Sequence, residues 1–158
     1  MLHFAYGSNM DRAVMRRHAP EALPISVAFL ADHRFIVTTD GYASVEPMRS
    51  NSVYGVLWRL TPRDRVKLDR WEGIASGQYR AERSQVRLLG DRRPALVQAL
   101  VYVARPRGVG RPKPGYMELV FAAARAWSLP TGYLDSLQHW FARPLGAGTR
   151  KLREFGWT

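Results

Sequence analysis

Two kinds of hydrophobic pattern divide the chain. Short apolar runs rich in β-branched and aromatic residues fill it up to about residue 104, and apolar residues at helical spacing follow residue 115. Runs of the first kind, bounded by Gly, Pro, Asn or Asp, predict strands, whereas spacing of three and four predicts amphipathic helices. The predicted strands are residues 2–6, 25–37 with an interruption at 31–33, 42–46, 52–60, 78–89 and 95–104, the last two joined by a near-hairpin at 90–93.

Four helices are predicted between and after these strands. Thr61, Pro62 and Asp64 supply an N-cap hydroxyl, a proline at the first helical position and a carboxylate in the first turn, so a helix begins there. Gly73 ends it near residue 72, because glycine readily adopts the left-handed conformation that closes helices. The other predicted helices are residues 10–18, 116–128 and 131–141. Strands come first and most of the helix later, without regular alternation, which predicts an α+β fold.

The chain length predicts one domain. At 158 residues we expect a single compact domain over residues 1–158, with a basic C-terminal tail from about residue 143. Apolar residues make up 46% of the sequence, enough for a packed core. Uncharged stretches reach about half the roughly 20 residues that span a bilayer, and residues 1–10 lack the features of a secretory signal. We therefore expect a cytoplasmic protein without a membrane partner.

Charge is the one unusual feature of the composition. The sequence has 24 Lys and Arg against 13 Asp and Glu, a formal net charge of +11. Such a field attracts anions of any kind, including nucleic acid, but abundant surface arginine gives the same total. No nucleic-acid motif appears, and the basic segment 105–113 lacks the interleaved aromatic residues that stack on bases. A nucleic-acid partner is not indicated.

Several kinds of catalytic site are excluded or disfavoured. The chain has no cysteine, so it has no thiolate nucleophile, thiolate zinc site or disulfide. The four histidines are scattered without metal-binding spacing, which predicts no catalytic metal. The glycine pairs at 108–110 and 146–148 complete no phosphate-loop motif, and Ser8 lies outside any GxSxG elbow.

The segment FAYGSNM, residues 4–10, carries the clearest chemical signal. A strand that turns through Gly7 into a helix exposes backbone N–H groups, and Ser8 and Asn9 add polar side chains. This arrangement would hold a small anion such as a carboxylate. An ordinary capped strand-to-helix turn has the same composition. We expect Gly7 to adopt positive φ or to lie close to a ligand.

A set of short motifs in a fixed order carries a family resemblance. FAYGSNM is followed by GVLW before a short helix, by LDRWEG at residues 68–73 and by GQY at 77–79. Gly115 and Tyr116 then precede an amphipathic helix, and residues 128–130 follow it. Each motif alone is weak, but their order from residue 2 to about 140 resembles the γ-glutamylcyclotransferase-like family.

The resemblance implies a fold, a reaction and site residues. It implies a mixed, barrel-like β-sheet with flanking helices, and a cavity with the YGSN loop as its floor. The reaction is attack of the substrate's α-amino group on its own γ-amide carbonyl, which gives 5-oxoproline and a free amine or amino acid without a cofactor. The implied catalytic acid/base is Glu72; the implied substrate-binding residues are Tyr6, Gly7, Ser8, Asn9, Tyr79 and Tyr116.

The chemistry of that reaction fits one carboxyl group. A base must take a proton from the α-ammonium, and the departing nitrogen needs one returned. Glu72 follows Trp71 at the C-terminus of the predicted helix, where the dipole and the aromatic neighbour should raise its pKa. Without the resemblance, a solvated helix-end carboxylate would be the simpler interpretation. Glu46 and Glu82, in predicted strands, are the fallback candidates.

Other assignments remain open at this stage. The basic segment 105–113 is a candidate lid that would favour a leaving group bearing a carboxylate. The alternative functions are a non-catalytic small-ligand-binding protein and a basic nucleic-acid-binding protein on the same fold. The substrate is a small γ-glutamyl compound, amine or amino acid, and the protein is expected to be a monomer or homodimer.

Overall fold

A five-stranded closed barrel forms the centre of the protein. The structure, a computed structural model, describes residues 1–90, 95–106 and 108–141. The strands are β1 (Leu2–Ala5), β2 (Leu23–Val37), β3 (Ala43–Arg59), β4 (Tyr79–Leu88) and β5 (Leu96–Ala104), in the spatial order β1-β3-β2-β4-β5. Neighbours are antiparallel except β5 and β1, which run parallel. The predicted α+β class with a mixed, barrel-like sheet is confirmed.

Strands β2 and β3 form one long hairpin, longer than the sequence indicates. Their antiparallel pairing extends from Leu23 opposite Arg59 to Val37 opposite Ala43. The predicted interruption at 31–33 is only a bulge, at which Asp32 adopts a φ of 55°. The stretch at 47–51, predicted as a gap between strands, belongs to β3, although its residues 48–51 have no partner in β2.

The barrel closes where the N-terminal strand meets two distant strands. Strand β1 pairs with the last residues of β3, and it pairs with β5 through His3 opposite Leu100. The backbone of β1 packs tightly on β3 at Gly55, where a Cβ would stand 2.2 Å from the carbonyl oxygen of Ala5. A side chain at residue 55 would therefore push these strands apart.

In the described part of the chain, four helices pack around the barrel: α1 (Arg12–His18), α2 (Pro62–Trp71), α3 (Tyr116–Ala126) and α4 (Thr131–Gln138). The helix predicted over residues 10–18 starts later than expected. Residues Ser8–Met10 form a 3-10 turn, and Asp11 caps α1 by accepting from the backbone N–H groups of Ala13 and Val14. Helix α4 also ends earlier than predicted, at Gln138.

The barrel interior and the inner faces of the helices share one hydrophobic core. It includes Phe4 and Val56 in the barrel and Leu68, Met117 and Leu137 from the helices, all at most 1% exposed. No helix in the described part of the chain is long and apolar enough to cross a membrane. The basic tail from about 143, the glycines at 146–148, residue 107 and the connection at 91–94 lie outside the described residues.

Candidate active site

A cavity of about 660 Å³ opens between one end of the barrel and the helices α1, α2 and α3. All seven site residues implied by the sequence lie in its wall: Tyr6, Gly7, Ser8, Asn9, Glu72, Tyr79 and Tyr116. These residues come from three separate parts of the chain, and the fold brings them together. The wall also contains residues that sequence reasoning did not select, among them His3, Tyr42, Trp71 and Tyr102.

The segment from Tyr6 to Asn9 leaves β1 and enters the 3-10 turn. The backbone N–H of Met10 donates to the carbonyl oxygen of Gly7 at 3.0 Å. Gly7 has φ −114°, so the expectation of positive φ is wrong. Glycine fits here for another reason: a Cβ would stand 2.9 Å from Tyr116 Oη. The expected helix N-terminus is not at this segment either, because α1 begins at Arg12.

Glu72 follows the last residue of α2, whose ends are both well defined. Thr61 and Asp64 form a capping box at the start, with each side chain accepting from the other's backbone N–H. At the end, the Glu72 N–H donates to the Leu68 carbonyl oxygen at 2.8 Å, and Gly73 takes a φ of 65°. The chain therefore turns away immediately after Glu72, and the Glu72 side chain is left in the cavity wall.

The side chain of Glu72 is partly buried in the cavity wall, and Asn9 contacts its carboxyl group. Asn9 Nδ2 donates to Glu72 Oε1 at 2.7 Å. Burial raises the pKa of Glu72 to about 7, the Asn9 hydrogen bond opposes this rise, and the negative charge of Asp69 adds to it. Trp71 instead stacks its ring on His18, with 3.7 Å between the ring centroids. The expected rise in pKa thus comes from burial and Asp69.

Asn9 keeps one hydrogen-bonding atom unused. Its side chain is 7% exposed, its Nδ2 is occupied by Glu72, and its Oδ1 has no hydrogen-bond partner. A buried polar atom without a partner is costly, and such atoms are uncommon in folded proteins. An acceptor of this kind next to a carboxyl group is suited to a ligand that donates hydrogen bonds.

The three predicted tyrosines of the wall each make a hydrogen bond through the hydroxyl group. Tyr79 Oη donates to the carbonyl oxygen of Ala43 at 2.7 Å, and the N–H of Ala43 donates to Tyr116 Oη at 3.2 Å. Tyr6 Oη donates to the carbonyl oxygen of Tyr102. Burial raises the pKa of Tyr116 to about 12 and also raises the pKa values of Tyr6 and Tyr79. These hydroxyls therefore stay un-ionised at neutral pH.

Sequence reasoning missed a second carboxylate near Glu72. Asp69 Oδ1 accepts from Arg65 Nε and from Tyr102 Oη, each at 2.7 Å. Asp69 precedes Glu72 by three residues, a spacing that places both on one face of a helix and could have indicated the pair. Tyr102 had a weaker signal, a single hydroxyl within the apolar run of β5.

The fallback carboxylates lie elsewhere. Glu46 pairs with Arg34 and Glu82 pairs with Arg80, and both pairs are substantially exposed. Neither glutamate belongs to the cavity wall. Glu72 is thus the carboxyl group among the three candidates that the fold directs to the cavity.

The basic segment 105–113 is attached to the turn between β2 and β3 in its described part. Gly110 N–H donates to the Val37 carbonyl oxygen at 2.8 Å, and Lys113 N–H donates to the Gly41 carbonyl oxygen at 3.1 Å. None of its described residues belongs to the cavity wall. Two of its residues contact residues of that wall: the Arg105 N–H donates to the Gln78 carbonyl oxygen at 3.2 Å, and the Lys113 ammonium lies 5.2 Å from the centre of the Tyr42 ring.

His3 is the histidine buried in the cavity wall. It is 2% exposed, its Nδ1 lies 3.1 Å from the Leu100 carbonyl oxygen, and burial lowers its pKa to about 4. Within the described part of the chain, no three histidine or carboxylate side chains cluster closely enough to hold a metal ion.

Comparison with known proteins supplies a family. Residues 52–137 match the AIG2-like family. Gamma-glutamylcyclotransferase of Mus musculus is 26% identical over 147 residues, 87% of this chain and 77% of that protein. The human protein of the same name is 24% identical over the same shares. A solved structure of a gamma-glutamyl cyclotransferase has a TM-score of 0.83 at 22% identity, covering 96% of this chain and 94% of that one.

Proposed function

Because the chain belongs to the AIG2-like family, we propose that it is a cofactor-independent γ-glutamylcyclotransferase. The resemblance to γ-glutamylcyclotransferase-like proteins inferred from its sequence is confirmed, and its curated relatives carry the name of that enzyme. The proposed reaction converts a γ-glutamyl amine or γ-glutamyl amino acid to 5-oxoproline and the free amine or amino acid. We place the enzyme in the cytoplasm as a monomer or homodimer.

One observation carries this proposal: the carboxyl group of Glu72 lies in the wall of a ligand-sized cavity and accepts a hydrogen bond from Asn9. Desolvation there raises its pKa to about 7. A general acid/base works best when its pKa is near the working pH, because it can then both accept and return a proton. An α-ammonium loses its proton at about pH 7.7–8.0 in reference peptides, so proton transfer to Glu72 costs little free energy. A solvated carboxylate at its ordinary pKa would be a much weaker base.

Glu72 acts twice in the proposed mechanism. It first accepts a proton from the substrate's α-ammonium, which frees the nitrogen lone pair. That nitrogen attacks the γ-carbonyl carbon, a new C–N bond closes the five-membered ring, and the carbonyl π electrons move to oxygen. When the electrons return, the original amide C–N bond breaks, and the protonated Glu72 gives its proton to the departing nitrogen. The ring nitrogen, which still carries two protons after the attack, gives up one of them through the Glu72 carboxylate to the freed amine. One substrate ammonium thus becomes 5-oxoproline and one protonated amine.

The neighbours of Glu72 supply binding groups for this sequence of steps. The free acceptor Asn9 Oδ1 is suited to an N–H of the substrate's ammonium group. Ser8 and the un-ionised Tyr79 and Tyr116 are polar groups in the same wall. Holding the substrate folded on itself removes most of the entropy cost of ring closure, which is the main contribution a protein makes to an intramolecular reaction.

The size of the cavity leaves space for the leaving group. Small-molecule sites typically enclose about 300–1,000 Å³, and this cavity encloses about 660 Å³. The wall includes Val14 and His18 of α1 and Trp71 of α2, whose ring stacks on that of His18. We propose that the leaving group lies against these residues. Both the amine and the amino-acid classes of leaving group remain within the proposal.

The test is release of 5-oxoproline from a panel of γ-glutamyl amines, γ-glutamyl amino acids and glutathione. We expect turnover of at least one compound by the wild-type protein and a loss of about 10²- to 10⁴-fold in Glu72→Gln. Glu46→Gln is the matched control, because it removes a carboxylate outside the cavity wall. Normal turnover by a folded Glu72→Gln protein would assign the base elsewhere.

The same panel separates the enzyme from its alternatives. Calorimetric binding of γ-glutamyl compounds without turnover would make the protein a ligand-binding member of the family. For nucleic acid, a titration at about 50 and 200 mM salt measures the electrostatic contribution, because each neutralised phosphate lowers log K by about 0.9 per unit of log salt. Tight sequence-selective binding at the higher salt, without turnover of any γ-glutamyl compound, would refute the cyclotransferase proposal.

A further inference from the structure

Asp69 lies one helical turn before Glu72 and is held by two donors. Arg65, one turn earlier on α2, donates through Nε at 2.7 Å, and Tyr102 donates through Oη at 2.7 Å from strand β5. Both hydrogen bonds end on the same oxygen, Oδ1. Asp69 is therefore fixed to its own helix and to the barrel.

The contact with Tyr102 connects α2 to the cavity wall. Tyr102 belongs to that wall, and its carbonyl oxygen accepts from Tyr6 Oη, another wall residue. The Tyr102 ring also meets the His3 ring edge-on, with 5.3 Å between centroids. A change at Asp69 would thus reach the helix end that carries Glu72 and the floor of the cavity together.

The charge of Asp69 acts on the same carboxyl group. It raises the pKa of Glu72 in addition to the larger effect of burial, against the Asn9 hydrogen bond. Other ionisable groups in the cavity wall are His3, Tyr6, Asp11, Arg17, His18, Tyr42, Tyr79, Tyr102 and Tyr116. Asp11 caps α1, and raised pKa values hold Tyr6, Tyr79, Tyr102 and Tyr116 neutral. Asp69 is the carboxylate that acts electrostatically on Glu72.

We propose that Asp69 is a positioning residue: held by Arg65 and Tyr102, it fixes the end of α2 on the cavity wall and strengthens Glu72 as a base through its negative charge. The inference rests on the role proposed for Glu72. Neither Asp69 nor Arg65 belongs to the cavity wall, so their effect on the reaction passes through Glu72 and Tyr102.

Two substitutions with opposite expected signs test the electrostatic part. Asp69→Asn keeps an oxygen acceptor but removes the charge, so the acid limb of kcat/KM against pH should move to lower pH by roughly half a unit to one unit. Arg65→Gln removes the counterion of Asp69, so the same limb should move to higher pH. Asp135→Asn, an exposed aspartate on α4, is the matched control and should leave the profile unchanged.

Tyr102→Phe tests the positioning part. It removes the hydrogen bond but keeps both charges, so we expect kcat/KM to fall several-fold without a shift of the acid limb to lower pH. If Asp69 had only a structural role, Asp69→Asn, Arg65→Gln and Tyr102→Phe would all lower kcat/KM. The acid limb would then not move in opposite directions in Asp69→Asn and Arg65→Gln. Shifts of the same sign in Asp69→Asn and Arg65→Gln, or no shift in either, would overturn the proposal.

Carbon-13 NMR of the Glu72 carboxyl separates this inference from the proposed function. The titration midpoint of Glu72 should be lower in Asp69→Asn than in the wild type, whether or not any γ-glutamyl compound turns over. An unchanged midpoint refutes the role of Asp69 alone, whereas absent turnover with a shifted midpoint refutes the cyclotransferase alone. If Asp69→Asn does not fold, the titration midpoint of Glu72 is measured in Arg65→Gln instead. This midpoint should lie above the wild-type value, and an unchanged midpoint would overturn the inference.

Discussion

Replacing Glu72 by glutamine should make the protein more stable while it removes activity. The substitution keeps the shape of the side chain and an oxygen that can accept from Asn9 Nδ2, but it removes the proton equilibrium. In the wild type, a carboxyl that ionises at its ordinary pKa in the unfolded chain must remain protonated in the folded protein up to a pKa of about 7. Ionisation therefore favours the unfolded chain.

The size of the effect follows from the difference between the two pKa values. A rise from 4.5 to about 7 corresponds to about 3 kcal/mol of unfolding free energy. Below pH 4.5 both states hold the proton and nothing is lost; the loss grows between pH 4.5 and 7 and is complete above pH 7. Because glutamine cannot ionise, Glu72→Gln should exceed the wild type at pH 8 by up to this amount, about 6–12 °C in Tm for a domain of this size.

Urea denaturation followed by circular dichroism measures this difference. We expect a higher midpoint for Glu72→Gln at pH 8, an unchanged slope, and a difference that disappears toward pH 4. Glu46→Gln, which breaks an exposed pair with Arg34, should show no such gain, since exposed ion pairs contribute about 0–1 kcal/mol. A Glu72→Gln protein no more stable than the wild type at pH 8 would refute the burial of an ionisable carboxyl at this position.

Three further substitutions test the structure around the site. Gly7→Ala would place a methyl group 2.9 Å from the Oη of the buried Tyr116, so we expect weaker substrate binding, a loss of kcat/KM and a lower Tm, measured by 5-oxoproline release and thermal melting. Thr61→Ala removes the N-cap side chain of α2 and should lower the unfolding free energy by about 1 kcal/mol in urea titration. Gly55→Ala, with its Cβ only 2.2 Å from the Ala5 carbonyl oxygen, should prevent closure of the barrel and abolish the cooperative unfolding transition.

Parts of the fold whose local signals agree with the tertiary structure could be predicted from the sequence. The start of α2 is one case, because Thr61, Pro62 and Asp64 determine it locally and the capping box forms as expected. The hairpin of β2 and β3 is the opposite case. Its polar middle, including Ser50 with a φ of 65°, resembles a loop, yet pairing between the strands continues to a bulge at Asp32. Pairing of this kind depends on a distant partner and leaves little local signal.

The candidate site shows the same division. Seven of the residues that line the cavity could be predicted through motif resemblance, and Glu72 and Asn9 share a hydrogen bond across 63 positions. The physical reasons were less predictable. Gly7 was expected to adopt positive φ or to lie close to a ligand, but its φ is −114° and a Cβ there would meet the hydroxyl of Tyr116. Which side chains surround a carboxyl group, and hence how far it is buried, depends on packing between elements far apart in sequence.

The closure of the barrel has a consequence for how the protein folds. Strand β1 is made first, but its antiparallel partner in β3 lies more than fifty residues later, and its parallel partner Leu100 lies 97 positions from His3. Contacts between such distant residues form slowly, because closing the long intervening loop costs entropy before the contacts can stabilise the fold. The β2–β3 hairpin needs no such loop and is free to form while the chain is still being synthesised. We expect β1 to dock late, so that the YGSN segment joins a nearly finished barrel and Asn9 reaches Glu72 in one of the last folding steps.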